Sequence, residues 1–247
     1  MTVEGPLPAE RPITTTTAPA LPAAQAGDPD DIGADPRALQ ILTTEHWSLL
    51  SARSLVYNEA FARAGMFLTF LSASLVALAL VGQALNFGRE FLSLAAAILA
   101  ADVVLGLATY GRVMTATIDD LRSIHGMNRL RAGYAQIAPR IVPYLVTSTH
   151  DDALGVFGSY GGVIRGVQAL LHGLSTTSGM LGAIVAMLSG ALAAVLLLLV
   201  ALPAAPALTL GGLVTGLSFI TLTRRSVRTI DTYRESIESR FPTPPES

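Results

Sequence analysis

Residues 180–202 read MLGAIVAMLSGALAAVLLLLVAL, 23 residues without an ionisable side chain. At ~1.5 Å of rise per residue, a helix of this length crosses the ~30 Å hydrocarbon core of a bilayer. The reading it imposes is an all-α integral membrane protein, because in lipid the backbone must satisfy its own hydrogen bonds within each segment. Downstream, residues 203–206 make a very short uncharged turn holding Pro203 and Pro206, and residues 207–223 follow as a shorter apolar stretch with more Gly and Thr. So tight a turn after a full span leaves only a second crossing for that stretch. Upstream, residues 65–85, GMFLTFLSASLVALALVGQAL, are 21 residues without a charge. The connection NFGRE at 86–90 offers Gly88 for a turn, and residues 91–113 are apolar apart from Asp102 and Arg112. Four transmembrane helices in two hairpins are therefore expected, at 65–85, 91–113, 180–202 and 207–223.

The composition agrees: 51% of residues are hydrophobic and 14% charged, far from soluble usage. Cysteine is absent, which removes disulfides, thiolate nucleophiles and cysteine-based metal sites. All 16 basic residues are arginine, the pattern of a GC-rich bacterial coding sequence, and the net charge of −2 gives no overall attraction to nucleic acid.

The remaining residues divide into hydrophilic regions. Residues 1–36 hold seven of the 14 prolines, with a threonine run and four aspartates, and are expected to form a disordered tail without a signal-peptide core. In residues 37–64, Leu39, Leu42, Leu49, Val56 and Phe61 recur with an amphipathic helical period that continues into the first span. Residues 114–178 carry a helical stripe out of the second span, broken by Pro139 and Pro143, and then a glycine-diluted amphipathic stretch from Ala153 to Leu174 that Asp151 or Asp152 would cap. Residues 224–247 continue the last span as a helix with Val227, Ile230, Ile237 and Phe241 on one face, then a tail. Arginines crowd these regions, whereas the two short turns hold only Arg89, so the positive-inside rule puts both termini and the central region in the cytoplasm of an inner membrane.

Three groups of candidate residues follow. Asp102 is the twelfth residue of its span, where an ionisable side chain costs ~2.5–3.5 kcal/mol on insertion scales, so it must face protein or water. Ser72 or Ser74, Ser189 and Thr215 lie at matching depth; together they form either a site in an ion or proton path or a carboxyl tied to hydroxyls as interhelical glue. Gly182, Ala186, Gly190 and Ala194 at intervals of four, with Gly212 and Gly216, mark close helix packing within the second hairpin or between subunits. Arg129, Arg131, Arg224, Arg225 and Arg228 stand where anionic headgroups are reached, or serve orientation alone. His46, His125 and His150 beside Glu45, Asp151 and Asp152 match no metal-ligand spacing, and cap or loop roles suit them better.

Phosphate-loop, nucleophile-elbow, zinc-ligand and kinase motifs are all absent. The expectation is a cofactor-free, non-enzymatic scaffold that self-assembles or binds a membrane partner. An oligomeric channel or transporter using Asp102 is the alternative, and a membrane-bound enzyme built around Arg112, Asp119, Asp120, His125, Asn128 and Arg129 a third.

Overall fold

The computed structural model describes residues 32–160 and 176–245. Among the described residues every regular element is helical: a 3-10 turn at Ile32–Ala34, α1 at Ala38–Ala84, α2 at Arg89–Ile137, a 3-10 segment at Pro139–Tyr144, α3 at Ala153–Tyr160, α4 at Thr177–Leu199 and α5 at Ala204–Glu235. Helices α1, α2, α4 and α5 are each long and apolar enough to cross a membrane. The expectation of a disordered tail falls mostly on residues outside those described, as does most of the amphipathic stretch beyond Tyr160.

Helices α1 and α2 run to 47 and 49 residues, ~70 Å each and about twice the thickness of a hydrocarbon core. Their apolar spans occupy the halves next to the connecting turn. The other halves, residues 38–64 and 114–137, project as a paired stalk. Pairing is antiparallel along the whole length: Ser74 meets Asp102, Phe67 packs on Gly106, Glu59 bonds Arg112, Arg53 bonds Asp120, Leu49 covers Gly126 and Leu42 covers Gly133. Register set within the membrane is thereby carried to the tip of the stalk.

The α1–α2 turn differs from the expectation of a glycine hinge. Asn86 and Phe87 adopt left-handed backbone at φ 49° and 52°, while Gly88 is extended. The Phe87 ring lies over Gly82, where a Cβ would sit 2.5 Å from it, and meets Phe91 edge to face at 5.2 Å. Aromatic packing, with the Phe87 N–H donating to the Gly82 carbonyl at 2.9 Å, holds what glycine would otherwise permit.

Helix α4 is capped by Thr176, whose hydroxyl accepts from Gly179 N–H at 3.1 Å, and ends where Ala201 turns left-handed at φ 62°. The helix thus begins and ends about one turn earlier than residues 180–202. Pro206 falls inside the first turn of α5 rather than in the connection, a position whose N–H has no helical acceptor anyway. Helix α4 packs on α2 with Gly182 against Tyr110 and Val185 against Gly106, and on α5 with Gly190 and Ala194 against Gly211. The helices follow the order α1, α2, α4, α5, with α5 leaning back to α2 where Tyr110 Oη donates to the Leu222 carbonyl at 2.9 Å.

Two cores result. In the spans, Phe67, Leu99, Tyr110, Val113, Leu181 and Leu188 are buried together. In the stalk, Ile118, Leu121, Ile124 and Met127 of α2 join Val156 of α3, and Leu49, Ile230, Tyr233 and Ile237 pack around them.

The α4–α5 contact yields a test. A methyl at Gly190 would lie 2.5 Å from the Gly211 carbonyl oxygen and collide with the Thr215 side chain, whereas Gly212 opens on empty space. Gly190→Ala is expected to destabilise the detergent-solubilised protein by about 1–3 kcal/mol. Gly212→Ala is expected to be neutral or stabilising by up to about 1 kcal/mol. Scanning calorimetry giving the same loss for both would contradict this register.

Candidate functional site

The buried polar side chains mark where the apolar pattern is deliberately interrupted. Among the described residues they are Ser74, Asp102, Asp120, Asn128 and Asp151. Three of them lie along α2, and the helical stripe Val113, Ala116, Asp120, Ile124, Met127 shows how Asp120 comes to face inward: it occupies an apolar position of the repeat.

In the membrane, Asp102 is fully buried, and the Ser74 hydroxyl donates to its Oδ1 at 3.1 Å. Its Oδ2 is buried with no hydrogen-bond partner among the described residues. The other hydroxyls at matching depth do not join it. Ser72, Ser189 and Thr215 each donate to a carbonyl of their own helix, at Leu68, Val185 and Gly211. Helical back-bonding outcompetes a cross-bundle bond wherever the hydroxyl does not face the carboxyl.

The stalk holds the larger polar network. Arg53 and the Tyr57 hydroxyl both bond Asp120, Tyr57 at 2.8 Å. Asn128 donates to the His150 carbonyl at 3.0 Å and accepts from Arg131 at 3.0 Å. Asp151 binds the C-terminal segment. Its Oδ1 accepts from the Ser239 hydroxyl at 2.8 Å and from the N–H groups of Arg240 and Phe241 at 3.0 and 2.7 Å. Its Oδ2 accepts from Arg129 at 2.8 Å, and its own N–H donates to the Phe241 carbonyl at 3.1 Å. Next to it, Asp152 Oδ1 accepts from Gly155 N–H, the expected cap of α3, while also accepting from the Thr243 hydroxyl. Helix α5 therefore stops at Glu235, and Ile237 and Phe241 are not carried on a helix face as expected: the aspartates offer backbone N–H groups a charged acceptor that further helix would have to forgo.

Electrostatics follow from these contacts. Burial raises the Asp151 pKa, but the Phe241 N–H, Arg129, Ser239 and the Arg240 N–H outweigh it and bring it down from 3.8 to about 2. His125 lies 3.8 Å from Asp151, yet burial and the neighbouring Arg129 hold its pKa below the usual histidine value. Arg129 is accordingly the countercharge of Asp151. His46 is likewise shifted down, by burial and by Arg131, and stacks on Tyr134 at 5.8 Å.

The other candidates divide similarly. Gly182, Ala186 and Gly190 lie in close packing, but no atom of the described residues lies within 4 Å of a Cβ at Gly212 or Gly216; on α5 the small-residue face is Ala207, Gly211 and Thr215. That spacing of four was present in the sequence, one residue out of phase with the glycines. Arg129 and Arg131 are engaged inside the stalk, Arg129 also donating to the Glu238 carbonyl, whereas Arg224, Arg225 and Arg228 are exposed on α5. Among the described residues no group of three or more His, Asp or Glu side chains could hold a metal ion. No family description, curated protein or solved structure matches this chain.

The latch has a defined pH dependence. A carboxyl whose pKa is depressed from 3.8 to about 2 on folding contributes stability that is fully present above about pH 5 and is lost progressively as pH falls through about 2. That linkage is worth about 2 kcal/mol. Asp151→Asn is expected to accelerate hydrogen exchange at the amides of Arg240 and Phe241 at neutral pH, and protection unchanged from the parent would remove Asp151 as the anchor.

Proposed function

We propose that this chain is a non-enzymatic, multi-pass inner-membrane protein whose stalk and termini lie in the cytoplasm and whose work is assembly, with further copies of itself or with a membrane partner. The arginine distribution supports the orientation, since the exposed Arg224, Arg225 and Arg228 follow the last span and meet headgroups on the stalk side. The assembly reading rests on one observation. Leu39, Trp47, Leu50 and Phe61 are 55%, 65%, 40% and 56% exposed on the part of α1 that projects beyond its span. At 3.6 residues per turn these four fall within a sector of about 80°, beside the face that packs on α2. An apolar stripe of this kind in water is the surface a neighbouring helix covers.

A second reading draws on the unpartnered Asp102 Oδ2. In it, several copies surround a path for protons or small ions in which Asp102 is the titrating group.

The absence of cysteine makes the assembly reading accessible to single cysteine substitutions. Trp47→Cys is expected to give dimers with a short bis-maleimide in native membranes, and Ala52→Cys, exposed on another side of α1, to give few. A monomeric mass in mild detergent with no co-purifying protein would sink the assembly reading. For the second, ion flux into proteoliposomes is expected to fall at least tenfold in Asp102→Asn; flux equal to the parent's would take Asp102 out of any path.

A further inference from the structure

At the edge of the membrane where the stalk begins, Glu59 sits between two arginines. Its Oε1 accepts from Arg63 Nε at 2.9 Å and from Arg112 Nε at 3.2 Å, and its Oε2 from Arg112 Nη2 at 2.6 Å. Two guanidinium groups share one carboxylate, so the cluster keeps a surplus positive charge. Arg63 remains 52% exposed while so bonded. Both arginines lie at the same depth, Arg63 just before the first apolar span and Arg112 at the stalk end of the second.

Directly below this cluster, on the lipid side, the α1–α2 seam carries an open surface cleft of about 410 Å³. Arg63 forms its upper rim, and Met66, Phe67 and Phe70 of α1 with Leu105 and Thr109 of α2 form its walls. The walls descend seven residues from Arg63 to Phe70 and from Arg112 to Leu105, ~10 Å along each helix. Thr109 contributes no free donor to the walls, since its hydroxyl bonds the Leu105 carbonyl at 2.8 Å. The cleft is thus apolar below and cationic above, ordered along the membrane normal.

We propose that this cleft is a binding site for an acidic phospholipid, with the headgroup phosphate on Arg63 and the upper part of an acyl chain against Met66, Phe70 and Leu105. The occupant is argued from place and charge together. The cleft opens on the lipid-facing surface of the apolar spans, where an acyl chain fits its apolar walls. Its rim offers a cation to a phosphate at headgroup level, where anionic lipids are concentrated by basic residues. A zwitterionic lipid fills the walls equally well but gains less from the surplus charge. The site depends on the chain spanning a bilayer and is independent of whether the stalk assembles.

Native mass spectrometry of the full chain, released from nanodiscs containing equal amounts of dioleoyl phosphatidylglycerol and dioleoyl phosphatidylcholine, tests the site. The parent is expected to retain phosphatidylglycerol preferentially. Arg63→Gln is expected to reduce that preference about fivefold, the value of one basic residue near a charged surface. Glu59→Gln, which frees both arginines, is expected to raise it, and Ala108→Phe, which adds a ring to the exposed α2 face lining the cleft, to lower retention of both lipids. The opposite signs of Arg63→Gln and Glu59→Gln separate lipid binding from a structural ion pair, whose loss would act in one direction. Glycerol phosphate added in excess is expected not to displace the lipid; displacement would assign the site to a free phosphate and overturn the proposal. Equal retention of the two lipids by the parent would overturn it as well, as would Glu59→Gln and Arg63→Gln shifting the preference the same way.

Discussion

The structure depends on the requirement that backbone polar groups in hydrocarbon be satisfied within their own segment. That constraint makes each apolar stretch a helix, and in α1 and α2 the helix does not stop at the edge of the apolar stretch. One uninterrupted hydrogen-bond ladder joins the membrane half to the stalk half in both helices. Rigid continuity is what places Arg53 opposite Asp120 and Leu42 opposite Tyr134, far from the turn that fixes the register. A break near Gly65 or Gly111 would leave the stalk without a defined pairing.

The stalk is stabilised differently from the spans. In lipid, apolar side chains gain nothing by leaving one hydrocarbon environment for another, and close approach at Gly106, Gly190 and Gly211 supplies packing instead. Outside the apolar spans, the cluster around Leu121 and Val156 joins residues of α1, α2, α3 and α5, and it needs all four to close. Asp151 and Asp152 complete that closure by drawing residues 239–243 across the end of the cluster. Segments far apart in the chain thus meet in one small core below the membrane edge.

How much of this could be read from the sequence depended on the length scale of the signal. Runs of 17 or more apolar residues report the solvent around a helix, and each of the four lies in a helix long and apolar enough to cross a membrane. The helical stripe leaving the second span and its break at Pro139 were equally readable, since α2 ends at Ile137. Tertiary choices were less so. Ser74 and Ser189 are chemically identical and at similar depth, and only the rotation of each helix decides that Ser74 reaches Asp102. Gly212 suggested the α5 contact, but Gly211 makes it, because one residue rotates the helix by ~100°. The Asp151 contact with the C-terminal segment had no local signature, Ser239, Arg240 and Phe241 lying some ninety positions away; Asp120 had one, as a charge on an apolar stripe.

If the four apolar helices cross lipid, both connecting turns lie on one side and the stalk on the other. Single cysteines introduced into this cysteine-free chain at Asn86, Ala204, Ser123 and Ser236, probed with a membrane-impermeant maleimide in sealed, oriented vesicles, test it most directly. Positions 86 and 204 are expected to react from one face only, and positions 123 and 236 from the opposite face only. Labelling of a turn position and a stalk position from the same face would contradict it.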